Sequence, residues 1–258
     1  MSEEENAVKA LKYACQALGW PFAKGEIAET LFSRSSSIRY RTELVRAIDF
    51  GIFELKNPQL SPSPIYINLR TVDHPLTPGP LIHDDARKIA GEIEKELFVN
   101  GITFDYVAGV PYGGEPLAKA FLDRLDNGKA REARFDKIGQ GSDRKIANFK
   151  VVVAPYVGLT WKRVLLIDDV LSSGKSLFEA IEAVEKSRYE VAGIAVAVDR
   201  EQGGYELLAK RGYSKAVSVF RISELLAFGV LSSKVLPGMF QNVMGYLEST
   251  REIIANEK

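Results

Sequence analysis

The chain has 258 residues, with 34 Lys plus Arg against 34 Asp plus Glu. That length carries a sizeable core, and the balanced charge removes any electrostatic case for a nucleic-acid or membrane partner. Cys15 is the lone cysteine and His74 and His83 the only histidines, which excludes a disulfide framework and a Cys/His zinc site.

The acidic start, Met1 to Asn6, is unlike a signal peptide, and no apolar run reaches membrane-spanning length, so the expectation is a soluble cytoplasmic protein. Residues 6–19 put Ala7, Val8, Leu11, Ala14, Cys15 and Leu18 on one helical stripe that ends at Trp20-Pro21. Ala23 to Phe32 reads as a second short helix, Ser33 to Ser37 as a loop, and Arg39 to Phe50 as a third helix closed by Gly51. Nothing in residues 1–35 carries chemistry. They are expected to form a helical extension for packing or dimer contact, ahead of a domain spanning 36–258.

Ile52 to Leu55 and Ile65 to Arg70 predict two strands on either side of a proline-rich turn that begins after Lys56. Asp84 to Asn100 predicts a long amphipathic helix stopped by Gly101. Phe104 to Gly109 reads as a strand, and its carboxyl end runs into Val110-Pro-Tyr-Gly-Gly-Glu115. A helix follows over Pro116 to Leu125. Gly113 and Gly114 before a helix make a candidate anion cradle. Residues 131–148 combine an edge strand with a polar loop whose Arg134, Lys137, Arg144 and Lys145 suit closure over a polyanion or plain solvation equally. Phe149 to Val157 predicts a further strand.

The densest chemistry lies in Arg163 to Ser176. The apolar run Val164 to Ile167 has the length of a buried parallel strand and is expected to end at two acids, Asp168 and Asp169. Ser172, Ser173, Gly174, Lys175 and Ser176 follow, then a helical run from Leu177 to Val184. A hydroxyl- and glycine-rich loop entering a helix presents N–H groups and the positive end of a dipole to a phosphate. Gly174-Lys175-Ser176 also matches the end of a P-loop, but the glycine that should open that motif falls on Asp169. Beyond it come a buried strand (Val191 to Val198), the polar cluster Asp199-Arg-Glu-Gln-Gly-Gly204, and a helix over Tyr205 to Arg211. A strand (Ala216 to Phe220) and helices over Ser223 to Phe228 and Pro237 to Ala255 finish the chain. Strands alternating with helices indicate a mainly parallel α/β sheet.

From about residue 40 on, these segments resemble the orotate phosphoribosyltransferases. Leu55-Lys56 with Ser63-Pro-Ile-Tyr-Ile-Asn68 is similar to one family segment, and Ala108 to Ala118 resembles its diphosphate loop. Asp168 to Ser176 resembles the motif for phosphoribosyl diphosphate (PRPP), and Asp199 to Gly204 matches a segment carried by orotate enzymes in particular. The resemblance implies a type I phosphoribosyltransferase fold with a central sheet flanked by helices and a small hood. It further implies magnesium-dependent transfer of the 5-phosphoribosyl group to orotate in pyrimidine (UMP) biosynthesis.

By the same resemblance, Leu171 to Ser176 would hold the 5′-phosphate, and Asp168 and Asp169 the ribose hydroxyls near a hydrated magnesium. Tyr112, Gly113 and Gly114 would hold the diphosphate. Lys56, the backbone around Tyr66 and Ile67, and Arg200 would hold orotate. A basic loop closing over a neighbouring subunit's site implies a homodimer. That family loop reads approximately Arg-Lys-x-x-Lys-x-His/Tyr-Gly. Matched without gaps, Arg134 falls on its arginine, but Phe135 and Ile138 fall on its lysines, with Lys137 one position away. Two alternatives stay open at this point: a phosphoribosyltransferase for another base, and a PRPP- or nucleotide-binding regulator that has lost catalysis.

Overall fold

Two helices open the chain, α1 (Glu3–Leu18) and α2 (Phe22–Phe32). The computed structural model describes residues 3–40, 43–54, 61–74, 78–125, 130–138, 145–152 and 162–255. Cys15, Ile27, Leu31 and Phe32 enter the main core, and Trp20 stacks on Phe228 with ring centroids 5.7 Å apart.

The next segment corrects the sequence reading. The expected loop at Ser33–Ser37 and helix at Arg39–Phe50 are β1 (Arg34–Tyr40), β2 (Glu43–Arg46) and β3 (Ile48–Phe53). β1 pairs antiparallel with β2, and β3 with β4 (Ser63–Ile67), placing Ile48 opposite Ile67 and Phe50 opposite Ile65. Leu44, Ala47, Ile48 and Phe50 satisfy a helical spacing and an alternating one almost equally over so short a window. Pairing with a strand fifteen residues away decides between them, a contact that local pattern cannot contain. Gly51 accordingly sits within β3 rather than at a helix end, and it is not among the glycines with positive φ. Gly101 does have positive φ (62°) and terminates its helix as expected.

The rest of the chain alternates. It runs α3 (His83–Val99), β5 (Tyr106–Gly109), α4 (Gly114–Leu122), β6 (Arg131–Ile138), β7 (Lys145–Val151), β8 (Arg163–Leu171) and α5 (Lys175–Lys186). β9 (Glu190–Asp199), α6 (Gly204–Lys210), β10 (Ala216–Arg221), α7 (Ile222–Leu231) and α8 (Pro237–Ala255) complete it. The strands order as β10-β9-β8-β5-β6-β7, parallel throughout except for the antiparallel edge pair β6–β7. β7 thus ends before the Val157 expected for it, and residues 153–161 lie outside the described ones.

Alternation along the strands splits the core into two layers. Val107, Leu165, Ile167, Ala195 and Val217 face the layer holding α3, α4 and the N-terminal helices. Tyr106, Ala108, Leu166, Ile194 and Val196 face the layer of α5 and Leu208 of α6. α4 and α5 follow neighbouring strands yet leave for opposite faces. The crevice beyond the carboxyl ends of β5 and β8 is therefore a topological switch point, where open α/β sheets bind ligands. At the opposite strand ends, buried Asp105 locks the pair in place. Its Oδ1 accepts from Arg163 Nη2 (2.9 Å) and its Oδ2 from Arg163 Nε (3.1 Å) and the Arg163 backbone N–H (3.1 Å).

Candidate functional site

β8 does not stop at the acids, as the apolar run suggested. It continues through Asp168 and Asp169 to Leu171, still paired with β9 at Asp168–Val196 and Leu171–Asp199. β5 ends earlier, at Gly109, with Val110 N–H donating to Ile167 O (2.7 Å). The acids therefore extend past their neighbour and stand beside the loop that leaves β5.

The glycines of that loop also serve its packing. A Cβ added at Gly113 would overlap the Asp169 carboxylate, and one at Gly114 would overlap Ile167 O. Both are glycine because β8 passes directly against them, so the loop and the acid pair form one packed unit. Between them the chain holds Tyr112 at φ 82°, its N–H donating to Glu115 Oε2 (3.3 Å). A bulky residue at that φ is strained, and such strain concentrates where a loop is held for a ligand.

Asp168 is buried and Asp169 half-buried. Each Oδ1 accepts the following backbone N–H at 2.9 Å, Asp169 N–H on Asp168 and Val170 N–H on Asp169. Burial pushes the Asp168 carboxyl well above the usual range, and the neighbouring Asp169 charge pushes it further. Burial also raises Asp169, opposed by its hydrogen bond with Asp168 and by the positive charge of Arg70. Both shifts run upward, so a cation or hydroxyl donor placed at the pair would stabilise its charged form.

Beyond Leu171, Ser172 and Ser173 are half-buried, Gly174 takes φ 77°, and α5 begins at Lys175 with Lys175 and Ser176 exposed. No side chain caps α5 and no acid occupies its first turn, whereas the first turn of α3 carries Asp84 and Asp85. The open N–H groups and dipole of α5 suit an anion. Gly204 closes the far wall: a Cβ there would overlap Ser172 O.

The Asp199–Gly204 segment divides into one reaching side chain and a scaffold. Arg200 N–H donates to Leu171 O (2.8 Å), and its Nη2 donates to Ser63 Oγ (3.1 Å) at the start of β4. Its Nε is buried without a hydrogen-bond partner, and burial draws the guanidinium below its ordinary value. The rest holds the turn. Asp199 Oδ1 accepts Glu201 N–H (2.8 Å), Glu201 Oε2 accepts Ser223 N–H (2.9 Å), and buried Gln202 Nε2 donates to Thr250 Oγ1 (2.7 Å) on α8.

Asp199 yields a stability prediction. Burial raises its carboxyl to about 6 from an ordinary value of 3.8. A raised folded value means that the stability present below pH 4 is lost as pH climbs through 6, by about 3 kcal/mol at most. Asp199→Asn keeps the acceptor for Glu201 and removes the charge. Its stability relative to wild type, from urea melts at pH 4, 5, 6 and 7.5, should therefore rise across that interval. A difference that stays flat with pH would contradict the burial argument.

Of the residues singled out in the sequence, the structure gathers Asp168, Asp169, Tyr112, Gly113 and Gly114 at one strand end, with Leu171 to Ser176 just beyond. Arg200 joins them to β4, which carries Tyr66 and Ile67. Among the described residues β4 pairs only with β3, so alternate backbone groups along it face outward. Lys56 lies outside the described residues. Arg134 is on edge strand β6 rather than on a loop. It pairs with Glu132 Oε1 (2.7 Å) and lines a cavity of about 620 Å³ with Glu115, Lys119 and Asp73, not with the acid pair. Lys137 is also in β6, opposite Ile146, and its side chain is outside the described ones.

Two residues escaped the sequence reading. Arg70 lies close enough to Asp169 for its charge to act there, and Tyr246 of α8 lies near Arg200 with its hydroxyl buried and unpartnered. Neither sits in a motif. A lone arginine at a strand end and a tyrosine in an amphipathic helix give no local signal.

The phosphoribosyl transferase domain family matches residues 75–223. An orotate phosphoribosyltransferase from Pyrobaculum aerophilum is 31 % identical over 208 residues, which cover 80 % of this chain and 96 % of that one. Among solved structures, a UMP synthase from Leishmania donovani superposes with a TM-score of 0.65 at 27 % identity, over 87 % of this chain and 42 % of its own length. An orotate phosphoribosyltransferase from Aeropyrum pernix does so at 0.54 and 26 % identity, over 70 % of this chain and 90 % of that one.

Proposed function

We infer, from the premise that the chain belongs to the orotate phosphoribosyltransferase family, that it transfers the 5-phosphoribosyl group of PRPP to orotate, giving orotidine 5′-monophosphate and diphosphate. The observation that carries this reading is Arg200. A buried guanidinium with a free Nε stands between the acid pair's strand and β4, which is the chemistry a planar carboxylate-bearing base requires.

The remaining roles follow from position. The Ser172–Ser176 turn and the start of α5 take the 5′-phosphate, Asp168 and Asp169 the ribose hydroxyls, and Tyr112 to Gly114 the diphosphate. The outer edge of β4 at Tyr66 and Ile67 flanks the base, and the family resemblance alone assigns Lys56 to it. The anomeric carbon becomes cation-like as diphosphate leaves and the pyrimidine nitrogen arrives. Positioning, leaving-group neutralisation and exclusion of water therefore do the catalytic work without a protein nucleophile.

The site suits magnesium borne by the substrate. Buried Asp168 beside half-buried Asp169 is a pair whose charge a cation carried by diphosphate would relieve. When bound, the metal neutralises charge on the departing diphosphate. The family's basic loop supports a homodimer; residues 139–144 lie outside the described ones.

Incubating the protein with orotate, PRPP and magnesium should deplete orotate absorbance with equimolar diphosphate release. No depletion, with a known enzyme active alongside, would sink the assignment. A panel of other bases separates it from a phosphoribosyltransferase of different specificity, since orotate should be the preferred acceptor.

A further inference from the structure

The segment after β4 folds back on itself at Arg70. Leu81 N–H donates to Arg70 O (3.2 Å), Val72 N–H to Leu81 O (2.8 Å) and Gly79 N–H to Thr71 O (3.0 Å). A Cβ at Gly79 would overlap the Arg70 carbonyl, so the crossing admits only glycine. Arg70 N–H is held by Asn68 Oδ1 (3.2 Å). The same segment runs against the diphosphate loop: the His74 and Tyr112 rings lie 6.2 Å apart, and Thr71 and His74 share a cavity with Gly109 and Glu115.

The backbone of Arg70 is thus fixed while its charge is not. Its Nε is buried without a hydrogen-bond partner, and among the described residues no carboxylate lies within ion-pair distance of it. A buried N–H in that state calls for an acceptor from water, an ion or a ligand. The charge nevertheless reaches Asp169 and pulls its carboxyl down against burial, and Asp169 packs on Gly113. Arg70 therefore sits at the junction of the acid pair and the diphosphate loop. The basic loop of the family, in contrast, carries Phe135 and Ile138 where its two lysines are expected, and Arg134 is engaged by Glu132.

We propose that Arg70 binds the diphosphate of PRPP and neutralises it as it leaves, a cation supplied by the fold from beside the acid pair. The proposal rests on the phosphoribosyl-transfer reading above. A guanidinium presents a planar fork to phosphate oxygens, and it remains charged when desolvated.

The test compares wild type, R70Q and R70K as full chains, measuring magnesium–diphosphate and ribose 5-phosphate binding by calorimetry beside steady-state kinetics. R70Q should weaken diphosphate binding and lower kcat/KM for PRPP by about a hundred-fold, as loss of one preorganised donor does. Ribose 5-phosphate, which lacks the diphosphate, should bind unchanged, and the KM for orotate should hold. R70K, with a point charge for a fork, should recover about a tenth of the lost affinity. A purely structural Arg70 would weaken both ligands together or neither, and either result overturns the proposal. If R70Q does not fold, R70K decides: diphosphate affinity equal to wild type rejects the role. Wild type without orotate turnover would fail the parent reading, whereas wild-type turnover with no selective diphosphate loss would fail Arg70 alone.

Discussion

Asp169→Asn is expected to lower kcat about a hundred-fold or more while leaving the melting temperature equal to or above that of the wild type. The two halves of that result have one cause. In the ligand-free protein Asp169 is a half-buried carboxylate beside buried Asp168, and its charge adds to burial in making Asp168 harder to ionise. Asparagine keeps the acceptor that Val170 N–H uses and fits the space against Gly113, but it removes the repulsion. On the proposed reading it also removes the charge that would face the ribose hydroxyls and the cation. A group that is unfavourable for the fold and required for the reaction marks a site selected for function. Steady-state kinetics at saturating orotate, with a thermal melt of the same sample, reads both halves. Unchanged kcat/KM for PRPP would remove Asp169 from the site.

The second large effect is expected at Arg200. Replacing it with glutamine should raise the KM for orotate by about ten- to a hundred-fold, the range of a lost charge-assisted hydrogen bond. The KM for PRPP should move far less. Glutamine ends about where the arginine Nε lies, so it gives up the Nη2 bond to Ser63, while a poorly satisfied buried cation disappears with the change. Lysine should rescue little, because its single ammonium lacks the fork that pairs with a carboxylate. An orotate KM equal to that of the wild type would show that the Ser63 contact, and not the base, is what Arg200 serves.

These two residues also mark what could be read in the chain. The acids, the Ser172–Ser176 turn and the alternation of strands and helices are local: each needs only a run of neighbours with a recognisable period. The two-layer core follows for the same reason, since every central strand alternates between Val107-type and Tyr106-type faces. Residues 34–53 went wrong because their partner strand lies across a turn, and the pattern within the segment fits helix and strand alike. Arg70 was invisible because its role depends on a fold-back at Gly79 and on a glycine at 113, neither of them adjacent in sequence. The purpose of Gly113 and Gly114 was half legible: the need for absent side chains could be read, but the presence of β8 behind them could not.

The departure of α4 and α5 to opposite faces of neighbouring strands has a metrical consequence. The diphosphate loop and the phosphate turn are carried by β5 and β8, whose separation is the interstrand spacing of about 4.8 Å, fixed by backbone hydrogen bonds and clamped at the far end by Arg163 on Asp105. The strand pairing fixes where the two loops begin, on neighbouring strands, while their helices leave on opposite faces. A ligand held by both loops therefore has to bridge two adjacent strand ends, and any adjustment to its length falls to the loops themselves.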